Sequence, residues 1–439
     1  MARHGRILYD SAAFPGLFGP GFKTHAAAAT SLAPCPVETV PPPNVEPVKH
    51  DLITTAGQLE QFCADLRGAK QIGFDTEFVS EDTYRAQLCL VQVAADGRLA
   101  VIDPLTVGDM TRFWEVLAEG EHETVVHAGR QEIEFSFSSI NRPPRDLFDV
   151  QIAGGMIGLE FPASYGTLVS KILGETPQKG ETRTDWRRRP LSDRQLEYAL
   201  ADVVHLALLR EKLGARLDKL NRQAWFANEM SDWLNEISAA HTRERWRKVS
   251  GSSGMNARGL ALVRAIWMWR EGEAKRLDRP VRRVLRDDLL VELARRKSAD
   301  PQQIRAIRGM ERGDLNRVLP ELSKAIGDAL ELPDSELPRI VRTDTNQHLS
   351  MLGQFLSSAL GSVCRVASVA PSIVGTPNDV RDLVAYRLNG GRGEAPSLAV
   401  GWRAEVVGNV LDDLLQGKLS IRIENPQSDQ PLVFEPARR

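Results

Sequence analysis

Short apolar runs bounded by turn residues mark the first patterned part of the chain. They span residues 71–78, 86–93 and 99–102, and their length and alternation are typical of β-strands. Helical periodicity follows over residues 109–117 and 130–140, with an apolar strand at 124–126 between them. Strands that alternate with helices in this way predict an α/β domain.

A long apolar stripe closes this domain. Leu191-Ser192-Asp193 resembles the start of a helix. Apolar residues then recur at helical spacing as far as about residue 217, at Leu196, Ala199, Val203, Leu206 and Leu209. The pattern predicts one long helix.

The rest of the chain is helical in pattern. Amphipathic segments cover residues 259–270 and 284–295, then 348–360, 379–388 and 402–415. The first fifty residues carry Gly, Ala and Pro clusters without periodicity, which predicts a disordered leader. The predicted organisation is a leader (1–50), an α/β domain (51–216), a helical linker (217–240) and two all-α domains (241–335 and 344–439).

Charge changes this picture in one region. The 439 residues carry a formal net charge of only −2, yet a neutral sum can hide opposite local charges. Residues 241–297 contain sixteen lysine and arginine residues against seven aspartate and glutamate residues. This excess indicates a surface for nucleic-acid phosphates, although half of these arginines could be ordinary solvated helix faces.

Cysteine spacing and hydropathy exclude several classes of protein. Cysteines occur at positions 35, 63, 89 and 364 and form no CxxC pair, which argues against a zinc ribbon and a disulfide framework. No run approaches the roughly 18 apolar residues of a membrane span. We therefore expect a cytoplasmic protein without a membrane partner.

The sharpest chemical feature is the triplet Asp75-Thr76-Glu77 at the end of an apolar strand. Strand alternation places the two carboxylates on one face. Buried carboxylates repel, and Mg²⁺ or Mn²⁺ would neutralise them, since these ions prefer carboxylate oxygen. Taken alone, the triplet could equally cap a turn or be solvated.

A second pair of polar residues strengthens the prediction of a metal site. Tyr198 and Asp202 are four residues apart, which puts a phenol and a carboxylate on one helix face. They follow a charged loop over residues 179–191. Alone, Tyr198 would be an ordinary half-buried tyrosine, and Asp202 a solvated residue.

Together these segments resemble the ribonuclease D family. The matching stretches are Asp75-Thr76-Glu77-Phe78, residues 127–134 (HAGRQEIE), residues 148–153 (FDVQIA) and residues 182–202. They look like the successive motifs of its DEDDy exonuclease domain, over roughly residues 51–216. The resemblance implies an α/β ribonuclease-H-like fold with a mixed sheet, two bound divalent metal ions (Mg²⁺ or Mn²⁺), and release of 5′-mononucleotides from RNA 3′ ends.

The resemblance also implies roles for individual residues. Asp75, Glu77, Glu132 and Asp202 become metal ligands, and Tyr198 becomes the residue that positions or helps to deprotonate the attacking water. No covalent nucleophile is required, because two metal ions can activate the water and stabilise the leaving oxygen.

One position departs from the family pattern. The second motif usually has aspartate where this chain has Glu132. The added methylene could displace the carboxylate by about an ångström, which in principle costs roughly a hundredfold in rate. A catalytically weakened RNA-binding protein is therefore the alternative hypothesis. Asp149, in contrast, is expected to be a helix N-cap.

Four residues are candidates for nucleic-acid contact. Thr76 and Phe78 would lie beside the terminal nucleotide, and Arg183 and Trp186 belong to the charged loop. Core packing is an equally good interpretation of Phe78. It is the commoner outcome for a tryptophan such as Trp186.

The region after the exonuclease-like domain resembles the HRDC domain (helicase and ribonuclease D C-terminal). The resemblance lies in residues 246–293, including Trp267-x-Trp269-Arg270-Glu271 and Asp278-Arg279-Pro280. It implies RNA binding, with tRNA precursors or other stable RNA as family-implied substrates and DNA as a further alternative. The chain has no phosphate-binding loop of a motor, and its last hundred residues look like a divergent, HRDC-like module.

Overall fold

The structure is a computed structural model that describes residues 49–176, 184–242, 245–311, 313–340 and 347–437. The predicted leader therefore lies almost entirely outside the described residues. The described part begins with a mixed six-stranded sheet, as the α/β pattern predicted. Its strands are β1 (Asp51–Ile53), β2 (Gln71–Val79), β3 (Gln87–Ala95), β4 (Arg98–Ile102), β5 (Glu123–Val126) and β6 (Leu147–Asp149).

The sheet has the strand order β1-β4-β3-β2-β5-β6. Strands β2, β3 and β4 form an antiparallel meander, whereas β1 pairs with β4, and β5 with both β2 and β6, in parallel. In the meander, Asp75 lies opposite Gln92 and Glu77 opposite Leu90. The register shifts between Glu77 and Phe78, and such a bulge redirects the side chains that follow it.

Helices cover both faces of this sheet. They are α1 (Ala56–Leu66), α2 (Pro104–Val107), α3 (Thr111–Glu119), α4 (Arg130–Ile140), α5 (Val150–Met156), α6 (Tyr165–Leu168), α7 (Asp193–Ala201), α8 (Leu206–Lys219) and α9 (Gln223–Thr242), with a π-helix at Val169–Leu173. The prediction of one long helix after Leu191 is wrong. The chain leaves helical geometry after Ala201 and resumes it at Leu206.

Each face of the sheet has its own apolar core. Helices α1 and α3 cover one face, where Phe74 packs edge to face against Phe113 and Trp114. On the other face, α8 packs close to the backbone of β2, so that a Cβ on Gly73 would lie only 3.1 Å from Leu206 Cβ. Helix α7 covers β3 and β4 through a third, smaller cluster.

A separate helical module follows. Its helices are α10 (Ala257–Leu277), α11 (Val281–Val284), α12 (Asp287–Arg296), α13 (Pro301–Arg305) and α14 (Gly313–Glu331), with 3₁₀ turns at Trp246–Lys248 and Asp334–Glu336. These helices enclose their own core, which draws no residue from the sheet. The predicted segment 259–270 lies within the longer α10, whereas the predicted segment 284–295 corresponds to α12, which begins only at Asp287.

The last hundred residues are not entirely helical. Helices α15 (Gln347–Val366), α16 (Pro371–Val374), α17 (Pro377–Leu388), α18 (Gly401–Arg403) and α19 (Asn409–Leu415) come first, with a 3₁₀ turn at Ser397–Ala399 and a π-helix at Ala404–Gly408. They are followed by an antiparallel hairpin of β7 (Leu419–Ile423) and β8 (Leu432–Pro436). This hairpin corrects the expectation of an all-α C-terminal domain.

The C-terminal helices share a core with the α/β domain. Buried side chains of α15, α17 and the Ala404–Gly408 π-helix belong to the same apolar cluster as those of α5, α8 and α9. In contrast to the preceding module, this part of the chain therefore contributes to the core of the α/β domain.

One buried arginine joins the two parts. The guanidinium of Arg222, only 5% exposed, donates hydrogen bonds to the carbonyl oxygens of Met156, Ala367 and Ser368. Nearby, Ala370 N donates to Gly155 O at 2.9 Å. Arg222 thus provides hydrogen-bond donors for carbonyl oxygens at the end of α5 and in the turn after α15.

Two expectations concern the rest of the molecule. None of the described helices is both long enough and apolar enough to cross a membrane. Among the described residues, Cys63, Cys89 and Cys364 are buried free thiols. The expected lack of a disulfide framework agrees with these three positions.

We expect the Arg222→Ala variant to be destabilised by about 3 kcal/mol or more, because three buried carbonyl oxygens lose a charged donor. Thermal unfolding followed by circular dichroism measures the effect. Arg112→Ala is the matched control, since Arg112 makes only exposed ion pairs with Glu60 and Glu115, which contribute about 1 kcal/mol or less. Equal shifts for the two variants would contradict this role of Arg222.

Candidate active site

The carboxyl end of β2 carries the first two candidate ligands. Asp75 and Glu77 point to the face of the sheet that α7 and α8 cover, while Thr76 and Phe78 face the opposite side. The Phe78 ring packs edge to face on Phe135 of α4 at 5.9 Å. Phe78 is therefore half-buried against α4, in agreement with the packing interpretation.

Glu132 reaches the site from the first turn of α4. The turn that starts this helix is tight: Ala128 has a φ of +54°, and a Cβ on Gly129 would lie 2.5 Å from Val126 Cγ2. The Glu132 side chain is buried, and its Oε1 accepts a hydrogen bond of 2.5 Å from Thr76 Oγ1. Thr76 thus contacts Glu132, not open solvent.

Asp149 lies near Glu132 but is fully used by backbone groups. It caps α5 by accepting hydrogen bonds from the amides of Gln151 and Ile152, and it also accepts one from Gly129 at 2.9 Å. The prediction that Asp149 is an N-cap is confirmed. Asp149 is nonetheless buried close to Glu132, and its negative charge raises the pKa of Glu132.

Asp202 and Tyr198 come from the interrupted helix. Asp202 is the C-cap of α7, so its carboxylate sits at the break before α8. The Tyr198 hydroxyl lies close to the Asp202 carboxyl group and lowers its pKa. The Tyr165 hydroxyl accepts a hydrogen bond of 3.1 Å from the amide of His205, which satisfies a donor at the start of α8 that has no partner within the helix.

The carboxylates are close enough to change one another's protonation. Burial is the largest cause in each case: it raises the pKa of Asp75 well above its usual value, and those of Glu77, Glu132 and Asp202 to about 8, 7 and 6. Repulsion from Glu132, Asp202 and Glu77 raises the pKa of Asp75 further. The hydrogen bond from Thr76 lowers the pKa of Glu132.

This set of oxygens fits a divalent cation by its chemistry. Four carboxylates are hard ligands of the kind that Mg²⁺ and Mn²⁺ prefer. No histidine, lysine or arginine of the described ranges forms an ion pair with any of them. Within those ranges no three possible ligands already converge on one point, so closing around a cation would require side-chain rotation.

The loop beside Tyr198 is held by a half-buried arginine, Arg189. Arg189 pairs with the buried Asp103 through two hydrogen bonds, Nε to Oδ2 at 2.5 Å and Nη2 to Oδ1 at 2.7 Å. It also donates to the carbonyl oxygens of Trp186 and Cys89. The bidentate contact fixes the loop to the end of β4, and the bond to Cys89 O fixes it to β3.

The loop buries Trp186, which changes the role expected of it. The indole is 5% exposed and stacks on the Tyr198 ring with centroids 6.1 Å apart. Trp186 therefore has no accessible ring face on which a nucleotide could stack, and its ring contacts Tyr198 instead. The other loop candidate, Arg183, lies outside the described residues.

Two histidines and one glutamine complete the surroundings. His127 Nε2 lies 2.9 Å from Ala163 O, and His205 is 3.6 Å from the Glu175 carboxylate, so both make structural contacts. Gln92 was missed by the sequence reasoning. It is fully buried opposite Asp75, and its amide has no hydrogen-bond partner among the described residues.

Neither Gln92 nor Tyr165 has a sequence signal of its own. A polar residue at position 92 interrupts the apolar run of β3, which was the only hint. Tyr165 follows a capping serine in a short helix, and nothing in its neighbours indicates a contact with residue 205. Both roles depend on tertiary packing.

Comparisons with known proteins point to one family. A family model described as 3′-5′ exonuclease matches residues 51–218, and an HRDC domain model matches residues 259–326. A protein named ribonuclease D from Granulibacter bethesdensis is 35% identical over 382 residues, which are 86% of this chain and 95% of that protein. One from Bartonella henselae is 32% identical over 85% of this chain and 92% of its own length.

A solved structure extends the likeness to the whole fold. The crystal structure of Escherichia coli RNase D, titled as an exoribonuclease involved in structured RNA processing, superposes with a TM-score of 0.74 at 25% identity. The match covers 84% of this chain and 99% of that one. It therefore includes the sheet, the separate helical module and most of the C-terminal region.

The raised pKa values predict how stability depends on pH when a chelator removes metal ions. Carboxyl groups with raised folded-state pKa values stabilise the fold at low pH, and this contribution is lost as the pH rises from about 5 to about 8. We expect the melting temperature in chelator to fall over this interval, and to fall less steeply in Glu132→Gln. Glu134→Gln, on another face of α4, is the control, and identical slopes in all three proteins would contradict the prediction.

Proposed function

This chain belongs to the ribonuclease D family of 3′-5′ exoribonucleases, and on that premise we propose that it trims structured RNA precursors such as those of tRNA. The observation that carries the proposal is the closeness of Asp75, Glu77 and Asp202 to the Tyr198 hydroxyl, with Glu132 near Asp75. These residues come from three separate elements, and neighbouring buried carboxyl groups with raised pKa values are typical of functional sites.

The exonuclease domains of this family depend on divalent metal ions, and we propose that two ions, Mg²⁺ or Mn²⁺, are held here by the four carboxylates. Held by these residues, such ions would activate a water molecule and would stabilise the leaving oxygen of an in-line displacement. The described carboxylates carry the negative charge that two cations require.

The remaining residues of the site position these groups. Tyr198 is proposed to orient the attacking water through its hydroxyl. Trp186 stacks on the phenol ring and fixes its position. Thr76 holds the Glu132 carboxylate. Because Phe78 packs on Phe135, only the exposed part of its ring would contact the terminal nucleotide.

RNA is the substrate expected from the relatives, and the HRDC module supplies a nucleic-acid-binding surface. Its local excess of positive charge would contact phosphates without reading sequence. Because E. coli RNase D is described as acting in structured RNA processing, tRNA precursors and other stable RNA are the proposed substrates. No observation on this chain favours DNA.

Glu132 decides between an active enzyme and a protein that only binds RNA. Its carboxylate is buried and hydrogen-bonded, which supports the active alternative, because an immobilised group loses little further freedom on binding a cation. We expect wild-type protein with Mg²⁺ or Mn²⁺ to shorten a 5′-labelled single-stranded RNA stepwise from its 3′ end. Asp202→Asn and Glu132→Gln should reduce the rate by roughly a hundredfold or more.

Two further proteins sharpen this experiment. Glu134→Gln controls for loss of a glutamate from α4 and should retain wild-type activity. Glu132→Asp restores the side chain usual in the family. An inert wild type that binds RNA and gains activity in Glu132→Asp would refute the enzymatic alternative in favour of binding only.

The hydrogen bond between Thr76 and Glu132 gives a separate prediction. Thr76→Val keeps the shape of the side chain but removes the donor to the charged carboxylate, a loss of about 1.5–3 kcal/mol. We expect about a tenfold to hundredfold decrease in kcat and a higher metal concentration for half-maximal activity. Thr76→Ser keeps the hydroxyl and should stay near wild type. Equal behaviour of the two variants would show that the hydrogen bond has no role.

A further inference from the structure

A single carboxylate lies between two arginines from different parts of the chain. Asp82 belongs to the loop that joins β2 to β3, five residues after Glu77. Its Oδ2 is 3.1 Å from Arg187 Nη1, and its Oδ1 is 2.9 Å from Arg283 Nη2. Arg187 is in the loop next to Trp186, whereas Arg283 is in α11 of the HRDC module.

A neighbouring residue shows that this loop is the junction between the two domains. The Tyr84 hydroxyl donates to Glu271 Oε2, and the Tyr84 amide donates to Asp278 Oδ1, both at 3.1 Å. The β2–β3 loop therefore touches the end of α10 on one side and the loop of Trp186 on the other. Asp82 follows β2, which carries Glu77, and Arg187 follows Trp186, whose ring stacks on Tyr198, so both loops of the two-arginine site lead directly to candidate active-site residues.

The geometry of Arg187 is fixed independently of Asp82. Its guanidinium pairs with Asp185 through Nε at 2.8 Å and Nη2 at 3.1 Å. This bidentate contact orients the remaining nitrogen, Nη1, toward the position that Asp82 occupies. Removal of Asp82 would leave that nitrogen directed at the same position.

The ion pairs of Asp82 are the kind that a phosphate can replace. The side chains of Asp82, Arg187 and Arg283 are 43%, 38% and 59% exposed, and exposed pairs contribute about 1 kcal/mol or less. Guanidinium groups bind phosphate oxygens at least as well as carboxylate oxygens. Two further arginines next to these in sequence, Arg188 and Arg282, are more exposed still.

We propose that Arg187 and Arg283 form a clamp for one phosphodiester of the RNA strand that leads into the active site, and that Asp82 occupies this clamp when no RNA is bound. The ligand is a backbone phosphate, so the clamp is indifferent to base sequence. The inference rests on the proposed function, because it assumes that RNA passes from the HRDC module to the carboxylates. It adds a binding site that spans both domains.

The competing interpretation is that Asp82 only joins the two domains. The two interpretations differ in the sign of one measurement. If Asp82 competes with phosphate, Asp82→Asn removes the competitor and its repulsion of the strand, so RNA binds more tightly. If Asp82 only braces the junction, the same variant loosens the HRDC module, and RNA binds equally well or less well.

The experiment measures the Kd of a labelled single-stranded RNA in chelator, where metal-dependent cleavage is absent, over a series of salt concentrations. We expect Asp82→Asn to lower Kd by about threefold to tenfold, which corresponds to losing one nearby unfavourable charge. Arg283→Gln should raise Kd by a similar factor and reduce the slope of log Kd against log salt by about one. In the double variant Asp82→Asn/Arg283→Gln, the decrease in Kd caused by Asp82→Asn should be smaller than in the wild-type background.

Matched controls remove the effect of net charge. Asp65 is 42% exposed and pairs with Arg98 at the β1 and β4 side of the sheet, so Asp65→Asn and Arg98→Gln change the total charge identically. A Kd for Asp82→Asn that equals that of Asp65→Asn, or exceeds that of wild type, would overturn the clamp. Cleavage of a dinucleotide by the wild type tests the proposed function separately, because that substrate is too short to need the clamp.

Discussion

Mutual repulsion among carboxylates at the end of β2 is the constraint on which the rest of the site depends. Burial raises the pKa of Asp75, Glu77, Glu132 and Asp202, and neighbouring carboxylates raise those of Asp75, Glu77 and Glu132 further. Without a cation, such groups must take up protons or move apart. Their backbones therefore have to be fixed by interactions that do not involve the carboxylates themselves.

Several buried contacts provide this fixation from outside the site. Pairing of β2 with β3 sets the direction of Asp75, and Tyr165 holds the helix break that carries Asp202. Arg189 fastens the neighbouring loop to Asp103. Arg222 joins α5 to the C-terminal helices, whose side chains share the core beneath α8. The C-terminal region thus supports the α/β domain that carries the site, although it supplies none of the four acids. The HRDC module, in contrast, has its own core.

Much of this arrangement could be predicted from local pattern. Alternation in β2 was sufficient to place Asp75 and Glu77 on one face, and the four-residue spacing correctly linked Tyr198 with Asp202. The helix break at Asp202 was not predictable, because residues 201–205 contain neither glycine nor proline and the apolar stripe continues through them. The β7–β8 hairpin was missed although Leu419–Ile423 alternates as strands do. The core that the α/β domain shares with the C-terminal helices depends on contacts between residues distant in sequence. Hydrophobic periodicity does not predict such contacts.

The departure at Glu132 takes on a different meaning once its surroundings are considered. A glutamate carries its carboxylate one methylene farther from α4 than an aspartate would, and longer side chains usually lose more rotational freedom when they bind a ligand. Here the carboxylate is already held by the Thr76 hydroxyl, at a helix N-terminus that favours negative charge. Thr76 in turn is fixed in the middle of the sheet, opposite Val91. The longer side chain is therefore already ordered without a cation, which supports the proposed role of Glu132 as a ligand.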